Sequence, residues 1–310
     1  MKYAVGLPNV GIFGDPHVLI DLAVRAEHGG WDAVFLWDHL LYRDATWPVA
    51  EPLVTMSAMA SHTTTVRLGI MVLALPRRRP WLVAKQLATL DRLSQGRLTV
   101  GFGLGSLPAE YEGFGEIADD AARGRRLDES LDIVTDLWSG QPVEHVGEHY
   151  AVNGVRMLPA PVQQPRPPIW CAGRWPNRAP FRRAARYDGV MPTHRDYGLG
   201  DTMPPEELAK VVAFVEAERT NAHGPFDVVV EGRTNDPGSG LDVGAYAQAG
   251  ATWWVEALGW WRGDLTAARE RVDQGPGAWS APGTDVNSAA RRRSRSTPPS
   301  GTRRRTPAAG

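Results

Sequence analysis

Short apolar runs alternate with longer amphipathic stretches through most of this 310-residue chain. The clearest unit spans Val66 to Ser106. Val66–Val72 and Leu98–Phe102 are rich in Val, Ile and Leu and show no strict polar alternation. Strands buried on both faces of a parallel sheet have this pattern. Between them, Pro80–Leu93 carries Leu82, Leu87, Leu90 and Leu93 at near-helical spacing, with Pro80 in the first turn and Gly96 just beyond the end. Proline is tolerated in a first turn, and glycine suits a left-handed cap. The unit reads as strand, helix, parallel strand with a right-handed crossover.

The same rhythm recurs along the chain. Tyr3–Leu7, Asp32–Trp37, Val66–Val72, Leu98–Phe102, Pro168–Gly173, Asp188–Pro192, Phe226–Val230 and Ala251–Glu256 read as strands. Helices are expected over Asp15–His28, Glu51–Ser61, Pro80–Leu93, Ala121–Trp138, Ala179–Arg186, Pro204–Asn221, Asp242–Ala249 and Asp264–Val272, with Glu110–Gly115 a loop. Eight strand–helix units predict a (β/α)8 TIM barrel rather than a doubly wound sheet. Residues 142–168 break the rhythm. Val143–Val146 and His149–Val152, joined by Gly147-Glu148, read as a hairpin inserted before the fifth strand, and Pro159–Pro168 as a stiff return. Two regions are expected: a barrel domain over residues 1–275 and an Arg/Pro/Ser-rich tail over 276–310. With almost nothing apolar to bury, the tail should be disordered and without a part in the chemistry.

Composition narrows the function classes. A net charge of −1 gives no general reason to expect nucleic acid as a partner. The single cysteine, Cys171, cannot form a disulfide within the chain, which suggests a reducing compartment. Met1–Gly6 enters a strand directly, and no apolar run approaches a membrane span of roughly 20 residues. A cytoplasmic protein without a membrane partner is the expectation.

In barrels, ligands bind beyond the C-terminal ends of the strands. There the chain places Asp38-His39 after the second strand, Arg77-Arg78-Arg79 after the third and Gly101–Ser106 after the fourth. Histidine exchanges protons near neutral pH, and a neighbouring carboxylate can orient it. The glycines are spaced GxGxG, which fails the dinucleotide fingerprint. A loop whose bare backbone admits a flat ligand and plain turn chemistry both remain open. Gly173–Arg178, expected between the fifth strand and its helix, offers a Gly turn, a helix start and arginines, a plausible phosphate seat. His145 and His149 lack a third ligand, so no metal site is expected. Cys171 should be a small buried apolar group. Trp253 and Trp254 should face opposite sides of the last strand, and Glu256 is either a pocket acid or a rim ion pair.

Gly30–His39, Arg67–Val72, Leu90–Gly103, Gln164–Trp170 and Ala184–Gly189 together resemble the bacterial-luciferase-like monooxygenase superfamily of flavin- and F420-dependent oxidoreductases. The resemblance covers about Lys2 to Gly275. It implies a (β/α)8 barrel holding FMN or coenzyme F420 at its mouth, with a non-prolyl cis peptide near Met71-Val72 backing the ring. Asp38 and His39 match the ring-proximal acid and the proton-transfer histidine. Gly103, Gly105 and Ser106 match the ring and ribityl loop, and Gly173-Arg174 the phosphate loop. Sugar-phosphate dehydrogenases of the family that use F420 carry a catalytic Glu at the position of Ser106, which argues against their chemistry here. The expectation is an oxidoreductase or monooxygenase acting on a small organic substrate, with a flavin reductase as a candidate partner and a homo-oligomeric assembly. The alternatives are a cofactor-binding barrel without turnover and a metal-dependent hydrolase barrel. The hydrolase would need a His/Asp cluster at several strand ends.

Overall fold

A computed structural model describes residues 1–196, 198, 201–219, 224–234 and 242–276. Met1–Pro276 forms one compact unit. The expected tail, apart from its first residue, lies outside the described residues, as do the last two residues expected for the Pro204–Asn221 helix.

Eight parallel strands close into a barrel in the order β1-β10-β9-β8-β7-β4-β3-β2. They are β1 (Lys2–Leu7), β2 (Ala33–Leu36), β3 (Arg67–Ala74), β4 (Leu98–Gly103), β7 (Ile169–Trp175), β8 (Gly189–His194), β9 (Asp227–Gly232) and β10 (Trp253–Ala257). The expected insertion is present as an antiparallel hairpin of β5 (Pro142–Val146) and β6 (Ala151–Arg156). Glu129 pins it by accepting from the backbone N–H of His149 and Tyr150 and contacting His145 Nε2 at 3.0 Å. His145 and His149 thus serve the hairpin.

Helices α1 (Pro16–His28), α2 (Pro52–His62), α3 (Pro80–Leu93), α5 (Asp120–Trp138), α6 (Ala179–Ala184), α7 (Pro205–Glu218), α8 (Val243–Gln248) and α9 (Leu265–Asp273) cover the barrel. Their starts follow ordinary capping chemistry. Asp15, Glu51, Asp119, Asp242 and Asp264 each accept a backbone N–H at a helix start. None of the described helices is long and apolar enough to cross a membrane.

The barrel interior is filled by Ala4, Ala33, Phe35, Met71, Trp170, Met191, Val229, Trp253 and Val255. Alternation along each strand sends every second side chain inward. Trp253 therefore points in, 5.5 Å from Trp170, while Trp254 points out toward Tyr246. Glu256 shares the outer face. It is fully buried, where Arg262 Nη1 at 2.5 Å and Arg271 Nε at 3.3 Å meet its carboxylate, so it is a structural ion pair rather than a pocket acid. Burial pushes the Cys171 thiol up to about 12.

Of the differences from the sequence-based expectations, three bear on the site. Strand β7 runs on to Trp175 because β8 offers a partner as far as His194, so Gly173 and Arg174 lie on a strand and not in a loop. Strand β9 runs past Val230 to include Glu231, which pairs with Val255. The stretch expected as the Glu110–Gly115 loop opens with a short helix, α4 (Ala109–Glu112), which buries Glu110 and Tyr111.

Candidate active site

The mouth of the barrel is built at the C-terminal ends of its strands. His39 follows β2. Its Nδ1 lies 3.2 Å from Glu110 Oε1, and the same oxygen accepts the Leu40 N–H at 2.6 Å. A carboxylate can only accept, so the proton sits on Nδ1 and the Nε2 lone pair is left for a ligand. The Asn9 side chain fixes the backbone of the same turn, donating to His39 O at 3.0 Å and to Ala50 O at 2.7 Å. The imidazole also meets Trp37 and Tyr42 edge-on, with centroids 5.8 and 5.0 Å away.

Asp38 points elsewhere. Its side chain is fully buried. Oδ1 meets Arg77 Nη2 at 3.0 Å and Arg78 Nη2 at 2.7 Å, and Oδ2 accepts the Ala74 N–H at 2.9 Å. Arg77 reaches on to Glu110 Oε2 at 3.0 Å. Burial alone would raise the Asp38 carboxyl, but Arg78 and Arg77 more than offset it and hold the group below its ordinary value. Glu110 behaves alike: burial opposes ionisation, while the His39 hydrogen bond and the Arg77 charge keep it low. The expected Asp38–His39 couple is therefore replaced by His39–Glu110. Asp38 acts through the arginines that seat Glu110. Two of the three arginines, Arg77 and Arg78, grip the protein's own carboxylates. Glu110 lies in a stretch whose sequence predicts a loop, and the short helix α4 turns it inward. Its setting, Glu110-Tyr111-Glu112-Gly113-Phe114-Gly115-Glu116, holds three glutamates and does not single it out.

Across the mouth, the Met71–Val72 peptide is cis, as the resemblance implies. It sits where the β3–β4 register shifts, between Ile70 and Leu73. Met71 belongs to the interior cluster, and Val72 lies partly buried against it. Gly103 faces Val72: a Cβ there would come within 2.6 Å of Val72 Cγ2. Gly105 is required twice over. Its φ is +81°, and a Cβ would meet the Tyr111 hydroxyl at 2.6 Å. That hydroxyl bonds to Leu104 O and ties the loop to α4. Ser106 is exposed beyond it. On the adjacent strand β7, Gly173 pairs with Pro192, and Arg174 is exposed with no partner among the described residues. Val72, Gly103, Ser106 and Arg174 thus rise from three neighbouring strands, β3, β4 and β7, with His39 beside them after β2. Among the described residues there is no group of three or more His, Cys, Asp or Glu able to hold a metal ion.

The luciferase-like monooxygenase family model matches residues 6–234. An uncharacterized protein of Mycobacterium tuberculosis is 35% identical over 230 residues, covering 68% of this chain and 75% of that one. The oxygenase component of flavin-dependent trigonelline monooxygenase from Acinetobacter baylyi is 34% identical over 198 residues, covering 63% of this chain and 51% of that protein. Among solved structures, the monooxygenase RslO1 of Streptomyces bottropensis superposes with a TM-score of 0.64 at 28% identity, covering 75% of this chain and 71% of that one. With the closed barrel and the cis peptide at Met71–Val72 already in place, these matches identify the chain as a member of the luciferase-like monooxygenase family.

Proposed function

We propose that this chain is an oxidoreductase of the monooxygenase type that takes reduced FMN or coenzyme F420 at the barrel mouth and acts on a small organic substrate. The observation that carries this reading is the cis Met71–Val72 peptide, with Val72 packed closely over Gly103, at the same strand ends as an imidazole whose Nδ1 is held by Glu110. The residues present fit such a group. Val72 and Gly103 would lie against the ring, Gly105 shapes the loop, and Ser106 offers a hydroxyl to the ribityl chain. Arg174 has an exposed guanidinium, without a side-chain partner among the described residues, for the phosphate. The cofactor would supply the electrons, and the protein supplies binding, orientation and proton handling.

His39 is the proton-transfer group. Glu110 fixes its tautomer and stabilises the imidazolium when Nε2 takes up a proton. Asp38 contributes by neutralising Arg77 and Arg78, so that Glu110 stays in place. The 34% identical oxygenase component is flavin-dependent by name, which supports reduced flavin delivered by a separate reductase.

Oxygen uptake with a flavin reductase, NADH and a panel of small organic substrates tests the flavin form. Bleaching or recovery of F420 absorbance with the same panel tests the other. Substrate-dependent turnover that falls about 10²–10⁴-fold in His39→Ala is expected. Turnover equal in wild type and His39→Ala would remove the imidazole from the reaction.

A further inference from the structure

Glu231 sits two residues beyond Val229 on β9, on the face that lines the barrel interior. It lies at the C-terminal end of its strand, so its carboxyl enters the mouth. Gly6 makes the space, since a Cβ there would fall 3.2 Å from Glu231 Oε1 and 3.0 Å from Val255 Cγ1. In the closed strand order, β9 is four strands from β3 in either direction. Glu231 therefore stands diametrically opposite the Met71–Val72 wall.

Its surroundings are aromatic and uncharged. The Trp37 side chain hydrogen-bonds the carboxyl. Trp37 in turn stacks on Trp261, with centroids 5.8 Å apart and planes 17° from parallel, and meets Trp260 edge-on at 6.3 Å. From the elements packed against it, β1 presents Gly6 and β10 presents Val255. The titratable and charged groups nearby are engaged elsewhere. Glu256 turns to the outer face with Arg262 and Arg271, and His194 at the end of β8 faces Asp196. Asp38 and His39 beyond β2 are tied to Arg77, Arg78 and Glu110, and Arg233, just past the end of β9, has contacts of its own. Burial raises the Glu231 carboxyl to about 7, Trp37 pulls in the opposite direction, and no charge among the described residues shifts it. A carboxyl desolvated without a counter-cation is costly in its charged form, and a cation brought by a ligand removes that cost. The tryptophan faces beside it favour the same ligand charge.

We propose that Glu231, with Trp37 and the Trp260–Trp261 turn, is the substrate-side wall of the mouth and selects a flat organic cation, its positive nitrogen against the Glu231 carboxylate. This deepens the proposed function and rests on it for the assignment of the opposite wall to the cofactor.

The test uses N-methylpyridinium as the probe, toluene as its neutral isostere and benzoate as an anionic control. Binding is followed by calorimetry and ligand-observed NMR on the full chain, with and without FMN. Wild type should bind N-methylpyridinium at least tenfold more tightly than toluene and should not bind benzoate. Binding should tighten roughly tenfold between pH 6 and pH 8 as the carboxyl ionises. Glu231→Gln should lose both the preference and the pH dependence, and Trp37→Phe should weaken cation binding with Glu231 intact. Equal binding of cation and isostere by wild type, undiminished cation binding by Glu231→Gln, or no cation binding at all would each overturn the assignment. Should Glu231→Gln fail to fold, the wild-type comparison and Trp37→Phe decide it. The cofactor reading is scored separately. Failure of wild type to perturb the FMN or F420 spectrum defeats that reading whatever the cation result.

Discussion

Asp38→Ala separates the structural reading of this carboxylate from a catalytic one. The substitution strips Arg77 and Arg78 of a shared partner at 3.0 and 2.7 Å and leaves the Ala74 N–H without its 2.9 Å acceptor. The Arg77 side chain is only 3% exposed, so water cannot replace what is lost. Breaking a buried ion pair from one side costs about 3–5 kcal/mol, and an orphaned buried N–H about 1–3 kcal/mol. These overlap, because all three donors converge on one carboxylate, so roughly 4 kcal/mol is expected. In a domain of this size each kcal/mol moves Tm by about 2–4 °C, which predicts a fall of roughly 8–16 °C. Thermal unfolding followed by circular dichroism at pH 7 reads it directly. His39→Ala removes the contact to Glu110 and two edge-on ring contacts, but Glu110 keeps the Leu40 N–H and Arg77, so this variant should melt well above Asp38→Ala. An Asp38→Ala melt indistinguishable from wild type, with turnover abolished, would refute the structural role and restore Asp38 to the chemistry.

Further outcomes follow from the same network. Asp38 and Glu110 both fold with carboxyls below their ordinary values of 3.8 and 4.5. Their stabilising contribution is therefore complete above about pH 4.5 and disappears as pH falls through the folded values. Urea midpoints measured from pH 7 down to pH 3 should fall steeply at the acid end, and less steeply in Asp38→Asn. Gly105→Ala forces a Cβ into a φ of +81° against the Tyr111 hydroxyl, so it should cost at least about 1–2 kcal/mol and weaken cofactor binding, both measurable on one purified variant. Cys171, fully buried with its thiol at about 12, should ignore a thiol reagent until the chain is denatured.

The parts of this protein set by local pattern were legible in its sequence. Unalternating Val/Ile/Leu runs marked β3 and β4, a recurring rhythm of short apolar runs marked the other barrel strands, Asp15 marked the start of α1, and Gly147-Glu148 marked the hairpin. The family motifs led to the Met71–Val72 cis peptide. What stayed hidden depended on partners distant in sequence. Glu110 meets His39 across 71 positions, and Arg77 and Arg78 meet Asp38 across about forty, distances no local window spans. Asp38 beside His39 in sequence suggested a couple, yet successive side chains leaving a strand diverge. Strand ends were misjudged where a neighbour extended the ladder, as at Trp175 and Glu231, because strand length there is set by pairing.

The central claim is that the mouth bounded by Val72, Gly103, Arg174 and His39 holds a flat redox ring. Anaerobic titration of the purified chain with FMN and with F420, each oxidised and reduced, followed by visible absorbance and fluorescence, tests it most directly. The account predicts a shifted, saturable spectrum for at least one of them, weakened by Arg174→Ala through loss of the phosphate contact. Spectra that remain those of the free cofactors at every protein concentration would contradict it.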